Sequence, residues 1–328
     1  MRFADRVLLA ASASLALFAS TALANDSTAA LGAGGLNLVR NEEIDLLSED
    51  LYVSEKEIRV TYHFQNHTDE PVTYLVAFPL PAVDTTVPEA AEFVLPDPEN
   101  DNFVDFEVKV DGKPVTPKIQ QRAIAIGVDQ SDAIRSKGLS LNPVGEENYA
   151  RIEKLSQADK EELARLGALI MDANGTYAAW KLETAFYWEQ TFPPGKDVLV
   201  EHAYRPVIGS GFFSKESLDI EDYKTKYCMD SGFRAAAVKG LDAIAGTDMT
   251  YYTEKRISYI LTTAMNWASS IKKFRMVIDK GTPESVLSFC GTDVKKIGPT
   301  QFEVTETDFY PQTDLDVLII SPPVKDAE

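Results

Sequence analysis

Apolar and polar residues alternate along much of this chain. Ile58, Val60, Tyr62 and Phe64 lie between Arg59, Thr61, His63 and Gln65, a period of two that predicts a strand with one buried and one wet face. Asn66-His67-Thr68-Asp69-Glu70-Pro71 supplies turn chemistry, and residues 72–78 resume a β-rich run that Pro79-Leu80-Pro81 ends, so the two runs predict an antiparallel pair. A polar, proline-rich loop reaches Asn102. Phe103, Phe106, Val108 and Val110 then lead to Asp111-Gly112, a tight hairpin signal, with residues 115–119 as the returning strand.

From about residue 129 to 174 the texture changes. Ser156-Gln157-Ala158-Asp159 forms a capping box ahead of Leu163, Leu166, Leu169 and Ile170, which predicts a short amphipathic helix, although Gly167 inside it costs about 1 kcal/mol relative to Ala. Residues 177–192 return to an aromatic strand pattern, Pro193-Pro194-Gly195 is a turn, and residues 197–204 alternate with Val198, Val200 and His202 on one side. Residues 231–246 place Phe233, Ala237, Leu241 and Ile244 at helical spacing, and short strands follow at 257–263, 274–278, 286–289, 302–307 and 315–320. The expected fold is mainly β. It has two antiparallel β-sandwich domains: residues 25–215 with a helical insertion at about 129–174, and residues 251–328, joined by a helical connector over 216–250. Ser54-Glu55-Lys56 with Ile58 echoes Thr253-Glu254-Lys255 with Ile257, a faint hint of duplication.

The first 24 residues follow another pattern. Arg2 and Arg6 precede an apolar run over 7–18 and then Ala22-Leu23-Ala24, which reads as a secretory signal peptide cleaved between Ala24 and Asn25. The run is too short for a permanent membrane helix, no Cys stands at the junction to take a lipid, and no later window approaches 18 uninterrupted apolar residues. The expectation is an exported chain, periplasmic or secreted, with no integral membrane segment after cleavage.

The whole chain carries 32 basic and 51 acidic side chains, a net charge of −19. Loss of Arg2, Arg6 and Asp5 with the leader leaves 30 against 50. Such a surface disfavours nucleic acid and anionic membranes and keeps an exported protein dispersed. The two cysteines, Cys228 and Cys290, predict a disulfide in an oxidising compartment, worth about 4 kcal/mol by chain entropy for a loop of about 62 residues. No CxxC or nearby His supports a metal thiolate instead.

The stretch 51–81, with Tyr-x-Phe-x-Asn at a strand end and Phe78-Pro79-Leu80-Pro81, resembles the bacterial exported proteins grouped as the domain-of-unknown-function 4424 family. Phe103-Val104-Asp105-Phe106, Tyr227-Cys228 and Asn266-Trp267 extend that resemblance over most of the chain after the leader. Phe78-Pro79-Leu80-Pro81, Val110-Asp111-Gly112-Lys113 and Phe192-Pro193-Pro194-Gly195 also resemble, more distantly, the vault and inter-alpha-trypsin (VIT) type β-sandwich, whose usual role is protein contact. The first resemblance implies no particular activity, and the second implies architecture more than function.

Candidate chemistry is sparse. An imidazole acid or base must be His63, His67 or His202, and His63 and His67 stand roughly 13 Å apart on an extended strand, too far for one metal. Gly209-Ser210-Gly211 lacks nucleophile-elbow spacing and reads as a flexible connection. Gly32-Ala33-Gly34-Gly35 has no strand before it to make a phosphate loop and reads as a turn or mobile leader. Asp97, Glu99 and Asp101 are weak calcium candidates, lacking the Gly and terminal Glu of an EF-hand. Trp180, Tyr187, Trp188, Tyr251, Tyr252 and Trp267 read first as core, with an aromatic groove as the alternative. Sequons at Asn25, Asn66 and Asn174 matter only in a eukaryotic secretory route. No catalytic residue, cofactor motif or metal set emerges. The sequence thus points to a non-catalytic module of the cell envelope that binds a protein or an extended peptide; the alternative is a carboxylate-based hydrolase acting on carbohydrate or another envelope substrate.

Overall fold

The structure, a computed structural model, describes residues 25–32, 35–86, 92–245 and 251–323. The expected leader, including Ala24, lies outside the described residues, as does Gly246. The fold is mainly β, with antiparallel sheets and few helices.

Alternation builds the strands as read. Ile58, Val60, Tyr62 and Phe64 are buried to within 1 % on one face of strand Ile58–Asn66. Asp111 and Gly112, both at positive φ, turn strand Glu107–Val110 into Lys113–Val115. The partners differ from the expectation, however. Strand Ile58–Asn66 pairs with Ile44–Ser54 and Asp197–Tyr204, whereas Val72–Pro79 pairs with Ser27–Gly32 and Lys181–Phe192 in another sheet. The 67–71 turn therefore crosses between layers instead of closing a hairpin. Asn66 fixes the crossing through Nδ2, which donates to Phe192 O at 2.9 Å and Glu70 O at 2.8 Å.

An eight-stranded sheet runs Lys295–Lys296, Gln301–Phe309, Ile271–Asp279, Ile44–Ser54, Ile58–Asn66, Asp197–Tyr204, Glu107–Val110, Lys113–Val115; Ile271–Asp279 and Ile44–Ser54 pair in parallel. A seven-stranded sheet built around Lys181–Phe192 and Val72–Pro79 faces it. Rings meet between the layers: Phe64 and Phe192 at 5.9 Å, Phe78 and Phe106 at 5.1 Å, Phe106 and Phe186 at 4.3 Å. A five-stranded sheet follows the order Val286–Phe289, Leu315–Ser321, Tyr252–Tyr259, Ile208–Phe213, Glu92–Val94. Within strand Leu315–Ser321, residues 317–320 read as an unbroken apolar run because both faces are covered. Val317 and Ile319 join the main core, while Leu318 and Ile320 join a second cluster under helix Ser231–Ile244.

The main core runs from Ile44 to Ile319, and two sheets take strands from both sides of residues 216–250. The expected division at 25–215 and 251–328 therefore does not coincide with the sheets. The echo at 54–58 and 253–257 is not a structural repeat either: one copy is a turn, the other lies inside strand Tyr252–Tyr259, and Glu55 forms an ion pair with Lys255.

The insertion is ordered as helices Ser131–Ser136, Glu146–Lys154 and Gln157–Arg165. Ser156 caps the third, accepting from Asp159 N–H at 3.1 Å. The helix stops short of the predicted end because Gly167 takes φ +75°, and Leu169 and Ile170 enter strand Leu169–Asp172 instead.

Candidate functional site

Proline-rich connections hold side chains off the sheet ladders, and here they leave a cleft of about 270 Å³. Leu80 and Pro81 form one wall beyond strand Val72–Pro79, and Phe93 of the short strand Glu92–Val94 borders it. Pro206 and Val207 line it after strand Asp197–Tyr204, and helix Glu221–Lys226 with the residue after it brings Tyr223 and Tyr227 from the opposite side. The lining is mostly apolar, with Asp222, Lys226 and Ser258 among its polar members and one bonded polar end at Arg256.

That polar end is a closed set of bonds. Arg256 Nη1 donates to the Tyr223 hydroxyl at 2.8 Å and lies 3.0 Å from Glu254 Oε1, while Tyr223 donates to the same carboxylate oxygen at 2.9 Å. Arg256 Nη2 donates to Ser210 O at 3.3 Å. Burial pushes the Glu254 carboxyl up, and the Arg256 guanidinium and Tyr223 hydroxyl pull it part of the way back. Burial likewise raises the Tyr223 and Tyr227 phenols, which stay neutral hydrogen-bonding groups.

Gly209 and Gly211 make this arrangement possible. They sit opposite Arg256 and Glu254 in the pairing of strands Ile208–Phe213 and Tyr252–Tyr259. A Cβ on Gly209 would lie 3.1 Å from Arg256 Nε, and one on Gly211 2.9 Å from Glu254 Oε1. The Gly-Ser-Gly segment is thus a strand shaved to admit two long side chains, and the expected flexible connection is not found there. The glycines were legible; their neighbours were not.

The tyrosine wall is fastened. Cys228 and Cys290 form the expected disulfide, with Cα atoms 5.1 Å apart, and Ser288 Oγ donates to Tyr227 O at 2.9 Å. Together they tie the end of helix Glu221–Lys226 to strand Val286–Phe289.

Other candidates are scattered. Asp97, Glu99 and Asp101 do not converge with one another as ligands, and among the described residues no group of three His, Cys, Asp or Glu could hold a metal ion. Glu99 turns instead to helix Glu146–Lys154, where its Oε1 accepts from Glu147 N–H at 3.3 Å. His67 pairs with Asp45 at 3.1 Å on the surface. Trp180, Trp188, Tyr252 and Trp267 are buried, as a core reading predicts. Tyr187 lies under the Lys118 ammonium, and Tyr251 rests on exposed Phe212 at 4.2 Å. Gly32 pairs with Gly35 where strands Ser27–Gly32 and Gly35–Val39 run antiparallel, so a strand does precede the glycine stretch, contrary to the expectation.

Sequence reasoning missed a second polar locus, between the two large sheets. Asn25, Asp26, Ser27 and Thr28 are fully buried. Asp26 Oδ1 lies 3.0 Å from His202 Nε2, while Asp26 Oδ2 and His202 Nδ1 are buried without a hydrogen-bond partner among the described residues. Asn25 Nδ2 donates to Glu49 Oε2 at 3.0 Å, Tyr259 donates to Glu49 Oε1 at 3.4 Å, and the Tyr62 and Tyr259 hydroxyls meet at 2.8 Å. Burial raises both carboxyls, Glu49 to about 8, with His202 partly offsetting the shift on Asp26. Only Glu49's position inside an alternating strand hinted at this, since Leu51 and Val53 share its face.

Fold and cleft together define a mainly β protein with a preformed apolar groove and one anchored polar end. The chain belongs to the family described as Domain of unknown function (DUF4424), whose model matches residues 24–318. A search of curated proteins gives no match. Among solved structures it is similar to a proposed nutrient binding protein of Legionella pneumophila, at 16 % identity and TM-score 0.44, over 91 % of this chain and 70 % of that one. It is also similar to an M1 zinc metallopeptidase of Deinococcus radiodurans bound to a Tyr-Ser-Ala substrate, at 9 % identity and TM-score 0.26, over 86 % of this chain and 44 % of that one. At those scores neither likeness bears on function.

Proposed function

We propose that the chain is exported and acts in the cell envelope as a binding module, taking an extended, apolar segment of a partner protein in the tyrosine-walled cleft. The observation that carries this reading is the composition of the cleft itself. Leu80, Pro81, Phe93, Val207 and two tyrosines offer apolar and aromatic surface, the kind that supplies most recognition energy, with a fixed polar end to set direction. Strand Glu92–Val94 ends its sheet among the described residues, so one row of backbone groups faces away from the ladder, where an extended chain can add. A two-carboxylate hydrolase needs a pair of free acids across a cleft, roughly 5–9 Å apart. Here Asp222 is the lining carboxylate, and nearby Glu254 is engaged by Arg256 and Tyr223.

A photo-crosslinking amino acid placed at Phe93 or Asp222 in cells, followed by mass spectrometry after denaturing washes, tests the proposal. One reproducible partner, lost on Tyr223→Ala, is the expected result. Recovery of the protein alone from both positions refutes it.

A further inference from the structure

Two carboxylates and one imidazole occupy the buried space between the large sheets, and among the described residues no Lys or Arg is bonded to either acid. With both acids ionised the charge there does not balance, and in the uncleaved chain Glu49 is held protonated instead, its carboxyl pushed up to about 8. Glu49 accepts only neutral donors, from Asn25 and Tyr259, and Asp26 Oδ2 accepts none. An uncompensated buried carboxylate is among the costliest groups a core can hold.

The missing charge is close at hand in the covalent structure. Asn25 donates its side-chain amide to Glu49 and accepts from Asp26 N–H at 2.9 Å, so its own α-nitrogen lies within about 7 Å of the Glu49 carboxylate. In an intact chain that nitrogen is a neutral amide. Hydrolysis of the Ala24–Asn25 bond, with water consumed and a leader peptidase as catalyst, yields the Ala24 carboxylate and an Asn25 amine that takes up a proton. A free α-amino group titrates near 8, and two adjacent carboxylates hold it charged.

We propose that leader cleavage before Asn25 creates a structural counter-ion: the new α-ammonium closes the Asp26–Glu49 acid pair, so the fold reaches full stability only after processing. A chain still joined to its leader has a neutral amide at that nitrogen and leaves Glu49 without a cation, held in its protonated form. The inference rests on the export half of the proposed function and is independent of what the cleft binds.

The intact mass of the protein recovered from the periplasm is measured first. A chain beginning at Asn25 is the expected result. A chain beginning elsewhere overturns the inference while leaving the cleft reading untouched, and a chain retained in the cytoplasm with its leader overturns export itself. Purified chains beginning at Asn25, or at Gly-Ser before Asn25, are then compared by thermal unfolding and by NMR titration of the Glu49 carboxyl. The extended form is expected to melt at least about 5 °C lower, and that gap to shrink by more than half in the D26N/E49Q background, where a purely steric penalty would persist. In the extended form Glu49 titrates at about 8, and in the Asn25 form in the ordinary carboxylate range. The groups facing it are the Asn25 side chain, Asp26, Tyr62 and Tyr259, with His202 paired to Asp26, all common to both forms. Because the titration uses unsubstituted protein, it decides the matter even if the double variant does not fold. Equal melting or equal Glu49 titration in the two forms overturns the proposal.

Discussion

Gly211→Ala sets two effects of opposite sign against each other. Gly211 stands in strand Ile208–Phe213 with a backbone open to any residue, so on entropy alone alanine stabilises by about 0.5–1 kcal/mol. The new methyl, however, would lie 2.9 Å from Glu254 Oε1 and 3.3 Å from its Cδ and Cγ. Glu254 is only 3 % exposed, so its carboxylate has no water to retreat to. Displacing it weakens the contact with Arg256 and the bond from Tyr223, and hydrogen bonds to charged groups are each worth about 1.5–3 kcal/mol. The loss outweighs the gain, and the net is a destabilisation of about 1–2 kcal/mol, or about 2–4 °C in melting temperature for a chain of this size. Thermal unfolding of G211A, E254A and the double variant reads this directly. In the E254A background the obstruction is gone, and G211A is expected to change sign and stabilise. A G211A protein as stable as the parent, or equally penalised in both backgrounds, refutes the account of the glycines.

The C228S/C290S variant removes a crosslink of sequence separation 62 and should lose up to about 4 kcal/mol, measured by urea unfolding; because the crosslink fastens the tyrosine wall, crosslinking from Asp222 should fall in parallel. Trp267→Ala, which empties the space beside Phe64 and Phe192 and strands Asp26 O, should cost about 3–5 kcal/mol or prevent folding, as circular dichroism will show. In the chain extended before Asn25, the protonated form of Glu49 is the one the core favours. Its stabilising contribution is fully present below about 4.5 and lost as the pH rises to about 8, so urea midpoints should fall across that window and E49Q should flatten the slope.

Local chemistry was readable where neighbours in sequence decide the outcome. The alternation at Ile58–Phe64, the Asp111-Gly112 turn and the Ser156 cap each depend on a few adjacent residues, and each appears as read. Partner choice does not. Nothing in Asn66-His67-Thr68-Asp69-Glu70-Pro71 distinguishes a hairpin from a crossing between layers, because that is settled by Phe192 and the strands on either side. Gly209 and Gly211 looked like a hinge because the side chains they accommodate lie more than 40 residues away. The cleft is assembled from six separate stretches and left no motif. The buried acids escaped notice because Asp26 and Glu49 read singly as ordinary members of a strongly acidic chain.

The parallel pairing of Ile44–Ser54 with Ile271–Asp279 governs the order in which this molecule can be made. Asp50 and Arg275, bonded across that junction, are separated by 225 positions. During synthesis the early strand waits with one edge open until the strand Ile271–Asp279 has emerged, and the loop to be closed spans about two thirds of the protein. Topologies of such high contact order fold slowly, so the nascent chain remains extended and threadable for longer than a chain of local hairpins would.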